Sequence, residues 1–164
     1  MSDDSLLVQV EKLVGNTGKE REFAGQRSVK LRLGESRIDG PMSVSGLAVG
    51  TSGGVNTDFE AAAVVDLVCN RCLTTWSEDL IVKGSHHFGT EPDEDGYAIV
   101  DGQIDVGGPA QDELALSLPA RPLCKGDCLG LCPTCGIDLN RGSCGGHEDD
   151  SDSPFATLKD LFDS

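Results

Sequence analysis

Phe59-Glu60-Ala61-Ala62-Ala63-Val64-Val65-Asp66-Leu67-Val68-Cys69-Asn70-Arg71-Cys72 is the stretch that decides the fold. Its first ten residues are apolar and become β-branched towards their end, with Glu60 and Asp66 the only charges. Such a run reads as a central strand. Cys69 to Cys72 follows as a tight turn, and Thr74 to Phe88 returns as the antiparallel partner. Upstream, Val29-Lys30-Leu31-Arg32-Leu33 alternates cleanly and predicts a strand with Lys30 and Arg32 on its solvent face. Ser43 to Val49 is a further strand, closed by the turn Gly50-Thr51-Ser52-Gly53-Gly54. Leu6 to Val10 suits a short strand or a helix. Tyr97 to Val100 and Gln103 to Val106 are short strand candidates.

Helix is scarce. Ala110 to Leu118 has helical spacing and is ended by Pro119 and Pro122. A last helix would start with Ser153 as N-cap and Pro154 as its first residue, and Phe155, Leu158, Leu161 and Phe162 would form its apolar stripe. The expected class is α+β and mainly β. It would be an antiparallel sheet or partly open barrel with few short helices and a Cys-rich metal-knuckle tail. Three segments follow: a β-rich body over 1–118, a Cys-rich zinc knuckle over 119–147, and an acidic linker with a short helix over 148–164.

The 164 residues carry 13 Lys+Arg against 28 Asp+Glu, a net charge of −15. Broad phosphate binding and adhesion to an anionic membrane are therefore disfavoured. The acidity is uneven: residues 1–60 sum to −2 and residues 61–164 to −13, while Lys12 to Arg37 is locally +4. The runs Glu91 to Asp95 and Glu148 to Asp152 read as solvated acidic segments. The first residues are acidic with no apolar run after them, and no stretch of about 18 apolar residues is present, as expected of a cytoplasmic chain.

Seven cysteines in such a compartment suggest metal or redox chemistry rather than disulfides. Cys69-x2-Cys72 and Cys132-Pro-Thr-Cys135-Gly136 both have the spacing with which one turn gives two ligands to one ion. Gly136 permits the left-handed backbone that often follows such a turn. The ligand grouping stays open. Cys124, Cys128, Cys132 and Cys135 would make one cramped local site. Alternatively Cys132, Cys135, Cys144 and His147 would bind one zinc, leaving Cys69, Cys72, Cys124 and Cys128 for a second. Reduced thiols packed as small hydrophobes are the plainer reading. Redox use is the weakest, because Cys69 to Cys72 links two strands rather than opening a helix. His86 and His87 are strand neighbours facing opposite sides, a poor ligand pair. No phosphate-binding loop, nucleophile elbow, HExxH or dinucleotide fingerprint is present, so no enzyme class and no small-molecule substrate is indicated.

The order Cys-x-Arg-Cys-Leu, Gln-Ile-Asp-Val, Pro-Leu-Cys-x3-Cys-x-Gly-Leu-Cys-Pro-x-Cys-Gly, Asp-Leu-Asn, a late Cys, then Ser-Pro-x3-Leu-x2-Leu resembles the YceD family of large ribosomal RNA subunit accumulation proteins, in its cysteine-rich bacterial form. The resemblance runs from about Leu6 to Phe162. It implies a non-enzymatic factor for 23S rRNA accumulation or processing and large-subunit assembly. Where such members often end the cluster in Cys-x-Cys, this chain has Cys144-Gly-Gly-His147. The partner expected is the large-subunit precursor, through 23S rRNA or a basic ribosomal protein. Lys30, Arg32 and Arg71, at the tip of the CxRC turn, are the candidate RNA contacts. A zinc-ribbon adaptor of another complex and a thiol oxidoreductase are the rival readings.

Overall fold

The protein is described by a computed structural model over residues 6–91 and 96–147. Four long strands carry it: β2 (Glu20–Leu33), β3 (Ser36–Gly50), β4 (Gly54–Val68) and β5 (Thr75–Gly89). They pair antiparallel in chain order, and β6 (Tyr97–Ala98) adds to β5 in parallel. The short strands β1 (Leu7–Gln9) and β7 (Gln103–Asp105) pair with each other beside this sheet. The result is mainly β, a curled mixed sheet that forms a half-barrel, with one helix and a Cys-rich C-terminal region.

The strand expectations hold in type and fall short in length. β2 begins nine residues before Val29 and β3 seven before Ser43. Gly25, Gly40, Pro41 and Gly46 break the alternation in the sequence, yet the ladder runs through them. The β3–β4 register shifts between Arg37 and Met42, beside Pro41, whose nitrogen has no hydrogen to give the ladder. Phe23, Gly46, Phe59 and Gly84 form one row across four strands. A Cβ on Gly46 would collide with the Phe59 backbone, and one on Gly84 would strike the Phe59 ring. The glycines are there to let a large ring lie across a tightly curled sheet.

Alternation settles which face is inside. On β4, Phe59, Ala61, Ala63, Val65 and Leu67 are buried, while Asp58, Glu60 and Val64 are exposed. The inward face meets helix α1 (Gly107–Ser117), which buries Ala110 and Leu114 against it. The helix starts three residues before the expected Ala110. Pro109 fits a first turn, where a missing N–H leaves no bond unmade. The Asp105 carboxylate accepts the Gly107 N–H at 2.9 Å and takes the cap role that Val106 cannot fill. Asp105 also holds Arg27 through two bonds of 2.8 and 3.0 Å, tying β7 and the helix start to β2. His86 on β5 meets Glu113 on α1 at 3.0 Å, and His87 on the other face meets Asn56 at 2.7 Å, so the two histidines do face apart. Among the described residues no helix is long and apolar enough to cross a membrane. The helix expected from Ser153 lies outside the described residues.

Candidate metal centres

The first cluster joins two distant parts of the chain. β4 ends at Val68, and Cys69 to Cys72 makes the turn into β5. The Leu73 N–H closes that turn on the Cys69 carbonyl at 2.9 Å. Cys124 and Cys128 arrive from the tail after the helix. The Sγ atoms of Cys69 and Cys128 lie 3.8 Å apart, and those of Cys72 and Cys124 3.5 Å. All four sulfurs lie within 4.8 Å of one another. Backbone stitching keeps the tail in place. The Asn70 N–H donates to Pro122 at 2.9 Å and the Leu131 N–H to Arg71 at 3.0 Å. The Arg71 guanidinium donates to the Cys128 carbonyl at 2.8 Å. Cys69, Cys72 and Cys128 are buried, with Trp76 and Leu131 packed on them.

The second cluster is local. Cys132, Cys135, Cys144 and His147 also place their donor atoms within 4.8 Å of one another. His147 Nε2 is 3.3 Å from the Cys132 sulfur. The Gly136 N–H closes the turn on the Cys132 carbonyl at 2.8 Å, as Leu73 does on Cys69. The residue after each turn is left-handed, Leu73 at φ 58° and Gly136 at φ 72°. The two turns are therefore one structural unit used twice. Cys132 is buried here, whereas Cys135 and His147 are exposed.

The charge pattern suits a cation. Amide N–H groups of Cys124, Cys72 and Arg71 point at the Cys69 sulfur and bring its thiol down to about 6. Those of Cys135 and Thr134 do the same for Cys132, again to about 6. The Thr74 hydroxyl and amide lower Cys72. The neighbouring sulfurs respond in the opposite sense. Cys124 is pushed up to about 12, first by Cys72. At Cys135 the pull of the Ile137 amide is outweighed by desolvation and by Cys132, so its thiol rises. The amides thus favour the thiolate at Cys69 and at Cys132, while Cys124 and Cys135 resist ionising until a positive charge offsets the repulsion. Four sulfurs in one cluster and three sulfurs with an imidazole in the other are donor sets for a soft or borderline ion.

A family model described as large ribosomal RNA subunit accumulation protein YceD matches residues 57–162, from within β4 through both clusters. The chain belongs to the YceD family. An uncharacterized protein of Mycobacterium tuberculosis (strain H37Rv) is 50% identical over 50 residues, covering 30% of this chain and 24% of that protein. One of Mycobacterium leprae is 35% identical over 104 residues, covering 57% of this chain and 46% of its own length. The chain therefore spans less than half the length of these curated relatives in the matched regions. No solved structure matches it.

Within this YceD chain, the donor atoms gather in the second of the two groupings, Cys69 with Cys72, Cys124 and Cys128, and Cys132 with Cys135, Cys144 and His147. The cramped set within 124–135 is not the one assembled, since the two cysteine pairs of the tail belong to different clusters. Lys30 and Arg32 are exposed as expected, in long ion pairs with Asp39 at 3.7 Å and Glu35 at 3.8 Å. Arg71 spends part of its guanidinium on Cys128, the structural use of a turn-tip arginine. Asn140 was the residue whose role spacing did not disclose. Its amide donates to the Cys128 sulfur at 3.4 Å while its oxygen accepts the Leu129 N–H at 2.9 Å. Asp138 accepts both the Asn140 N–H and its side-chain amide at 2.9 and 2.8 Å. The signal was Asp138-Leu139-Asn140 just after the second turn, an Asx pattern that orients one side chain with another.

Proposed function

We propose that this YceD protein is a cytoplasmic, non-enzymatic ribosome-biogenesis factor that supports 23S rRNA accumulation or processing during large-subunit assembly. The family match over residues 57–162 carries the reading. The charge distribution supports it. An acidic C-terminal half can meet a basic ribosomal protein, and charge complementarity speeds and selects such encounters. Of the three RNA-contact candidates, Lys30 and Arg32 sit on the exposed face in weak surface pairs that a phosphate can displace. Arg71 joins them only with the N–H groups left over from Cys128.

Zinc is the ion we assign to both clusters, two per chain, held by Cys69, Cys72, Cys124 and Cys128 in one and by Cys132, Cys135, Cys144 and His147 in the other. Bound there, zinc would cross-link the chain and contribute folding energy. Around it the protein's own groups act. Amide N–H groups hold Cys69 and Cys132 as thiolates, Arg71 fixes the Cys128 backbone, and Asn140 orients the Cys128 sulfur. The proposal divides the chain into a body over 1–118, which gives Cys69 and Cys72 to the first zinc, a zinc segment over 119–147 and an acidic end over 148–164. Depletion of the protein is expected to lower 23S relative to 16S rRNA and to accumulate a large-subunit precursor. A normal ratio in depleted cells refutes the proposal.

A further inference from the structure

The loop between β1 and β2 forms, with the strand ends that flank it, a groove of about 450 Å³ lined by Gln9, Glu11, Lys12, Leu13, Lys19, Glu20 and Arg21. Three cations and two carboxylates make it locally positive in a chain of net −15. Both carboxylates line the groove with the cations, and Glu11 lies against Gly102. The cations differ from most others in the molecule. Arg27, Lys30, Arg32, Arg37, Lys83, Lys125 and Arg141 each have a carboxylate partner. Among the described residues neither Lys12 nor Lys19 has one. Arg21 donates to the Gln9 carbonyl at 3.1 Å, which steadies its guanidinium and leaves other N–H groups to give.

The groove is also built in advance. The Gly15 N–H bonds to Thr51, the Gly18 N–H to Gly50 and the Gly50 N–H to Lys19, at 2.8–3.0 Å. The loop lies so flat on β3 that a Cβ at Gly50 would collide with the Leu13 and Asn16 carbonyl oxygens. Two ammonium groups without a carboxylate partner among the described residues, beside a steadied guanidinium and on a backbone already fixed, form a receptor for an oxyanion that needs little ordering on binding. The three cations share one groove, and an anion among them offsets their like charge.

We infer that the groove between β1 and β2, through Lys12, Lys19 and Arg21, binds the phosphodiester backbone of RNA, and that it is a stronger phosphate contact than Lys30 and Arg32. The inference rests on the ribosomal reading for its ligand, and deepens it by making the rRNA contact direct.

The test uses the full-length, zinc-loaded protein and a 12-nucleotide single-stranded RNA, titrated at several salt concentrations. Lys12→Gln/Lys19→Gln should weaken binding about tenfold near 0.1 M salt and lower the slope of log K against log salt by about 1.4, two single-strand phosphate contacts. Lys12→Arg/Lys19→Arg should restore both, and Lys30→Gln/Arg32→Gln should cost less. Inorganic phosphate at the same total phosphate concentration should displace little RNA. All four substituted side chains are exposed, and unchanged melting of each variant confirms folding. The inference is overturned if Lys12→Gln/Lys19→Gln keeps the parental slope, if Lys30→Gln/Arg32→Gln loses more, if free phosphate competes equally, or if no RNA binds. The 23S to 16S ratio in depleted cells is read separately. A low ratio with no RNA binding sinks the groove alone, whereas a normal ratio sinks the parent reading.

Discussion

The two candidate metal centres use the same turn for different purposes. In both, a Cys-x2-Cys turn points amide N–H groups at its first sulfur and ends on a left-handed residue. The first centre then reaches 59 residues along the chain from Cys69 to Cys128, whereas the second spans 15 from Cys132 to His147. Three of the first centre's cysteines are buried, while two ligands of the second face water. Closing a longer loop removes more freedom from the unfolded chain, but only as the logarithm of its length. Loop length is therefore a small part of the difference. The larger part is what each loop encloses. The first contains β5, β6, β7 and α1, so its closure fastens the tail to the sheet. The second encloses only the tail's own turns. One turn is a staple of the fold and the other organises a surface.

The largest effect that can break this comparison is Cys69→Ser/Cys72→Ser. Zinc content should fall from two equivalents to one. The docking of residues 122–131 should be lost, because the stitching through Asn70, Arg71 and Cys128 converges on that ion's ligands. Structural zinc in small sites contributes several kcal/mol to folding, so the melting temperature should drop by about 10 °C. Metal analysis and calorimetry on the same preparation read both. If this variant keeps two equivalents and its melting temperature, the first centre is no staple.

Cys144→Ser/His147→Ala is the matching experiment on the second centre. It should also release one equivalent, yet shift the main melting transition by only a few degrees, since the sheet and α1 have no ligand there. Limited proteolysis should cut after Cys135 while the body resists. His147→Cys, which keeps four donors, should retain the metal. An equal fall in melting temperature for the two double variants would erase the distinction between staple and surface. Retention of two equivalents by Cys144→Ser/His147→Ala would remove Cys144 and His147 from the ligand set.

How far the sequence discloses these centres depends on the range of the interaction that builds them. Apolar runs with clear ends, such as Phe59 to Val68, and the turn that follows are local, and they read correctly. The β-rich class, the hairpin through Cys69 and the turn at Cys132 follow from adjacent residues. The sharing of Cys124 and Cys128 with Cys69 and Cys72 depends on where α1 delivers the tail, and so the choice of grouping stays open until the fold is known. The length of β2 and β3 is hidden for the same reason. Gly25, Gly40 and Gly46 look like breaks, and for Gly46 the reason appears only when Phe59 is placed across it. Arg71 and Asn140 are polar residues in plain view, but their partners are a carbonyl and a sulfur far along the chain or across a turn, which spacing does not specify.

The smallest expected effect is the sharpest on the comparison, because it concerns the left-handed residue that ends each turn, Leu73 in one and Gly136 in the other. Gly136 takes φ 72° at no steric cost, whereas Leu73 takes φ 58° with a Cβ against its carbonyl. That conformation disfavours a leucine by about 1–2 kcal/mol, and glycine in its place gives back part of the gain through the extra freedom of the unfolded chain. The Leu73 side chain is 61% exposed, so little burial offsets the strain. Leu73→Gly should therefore stabilise the metal-loaded protein by about 0.5–1 kcal/mol in denaturant titrations, and Gly136→Ala should loosen zinc at the second centre with almost no effect on the body. A loss of stability in Leu73→Gly would mean that the part of the leucine still buried holds the hairpin turn on the tail more firmly than the strain opposes it. The staple would then depend on an apolar contact as well as on its ion, a contact that the second turn, ending in glycine, does not have.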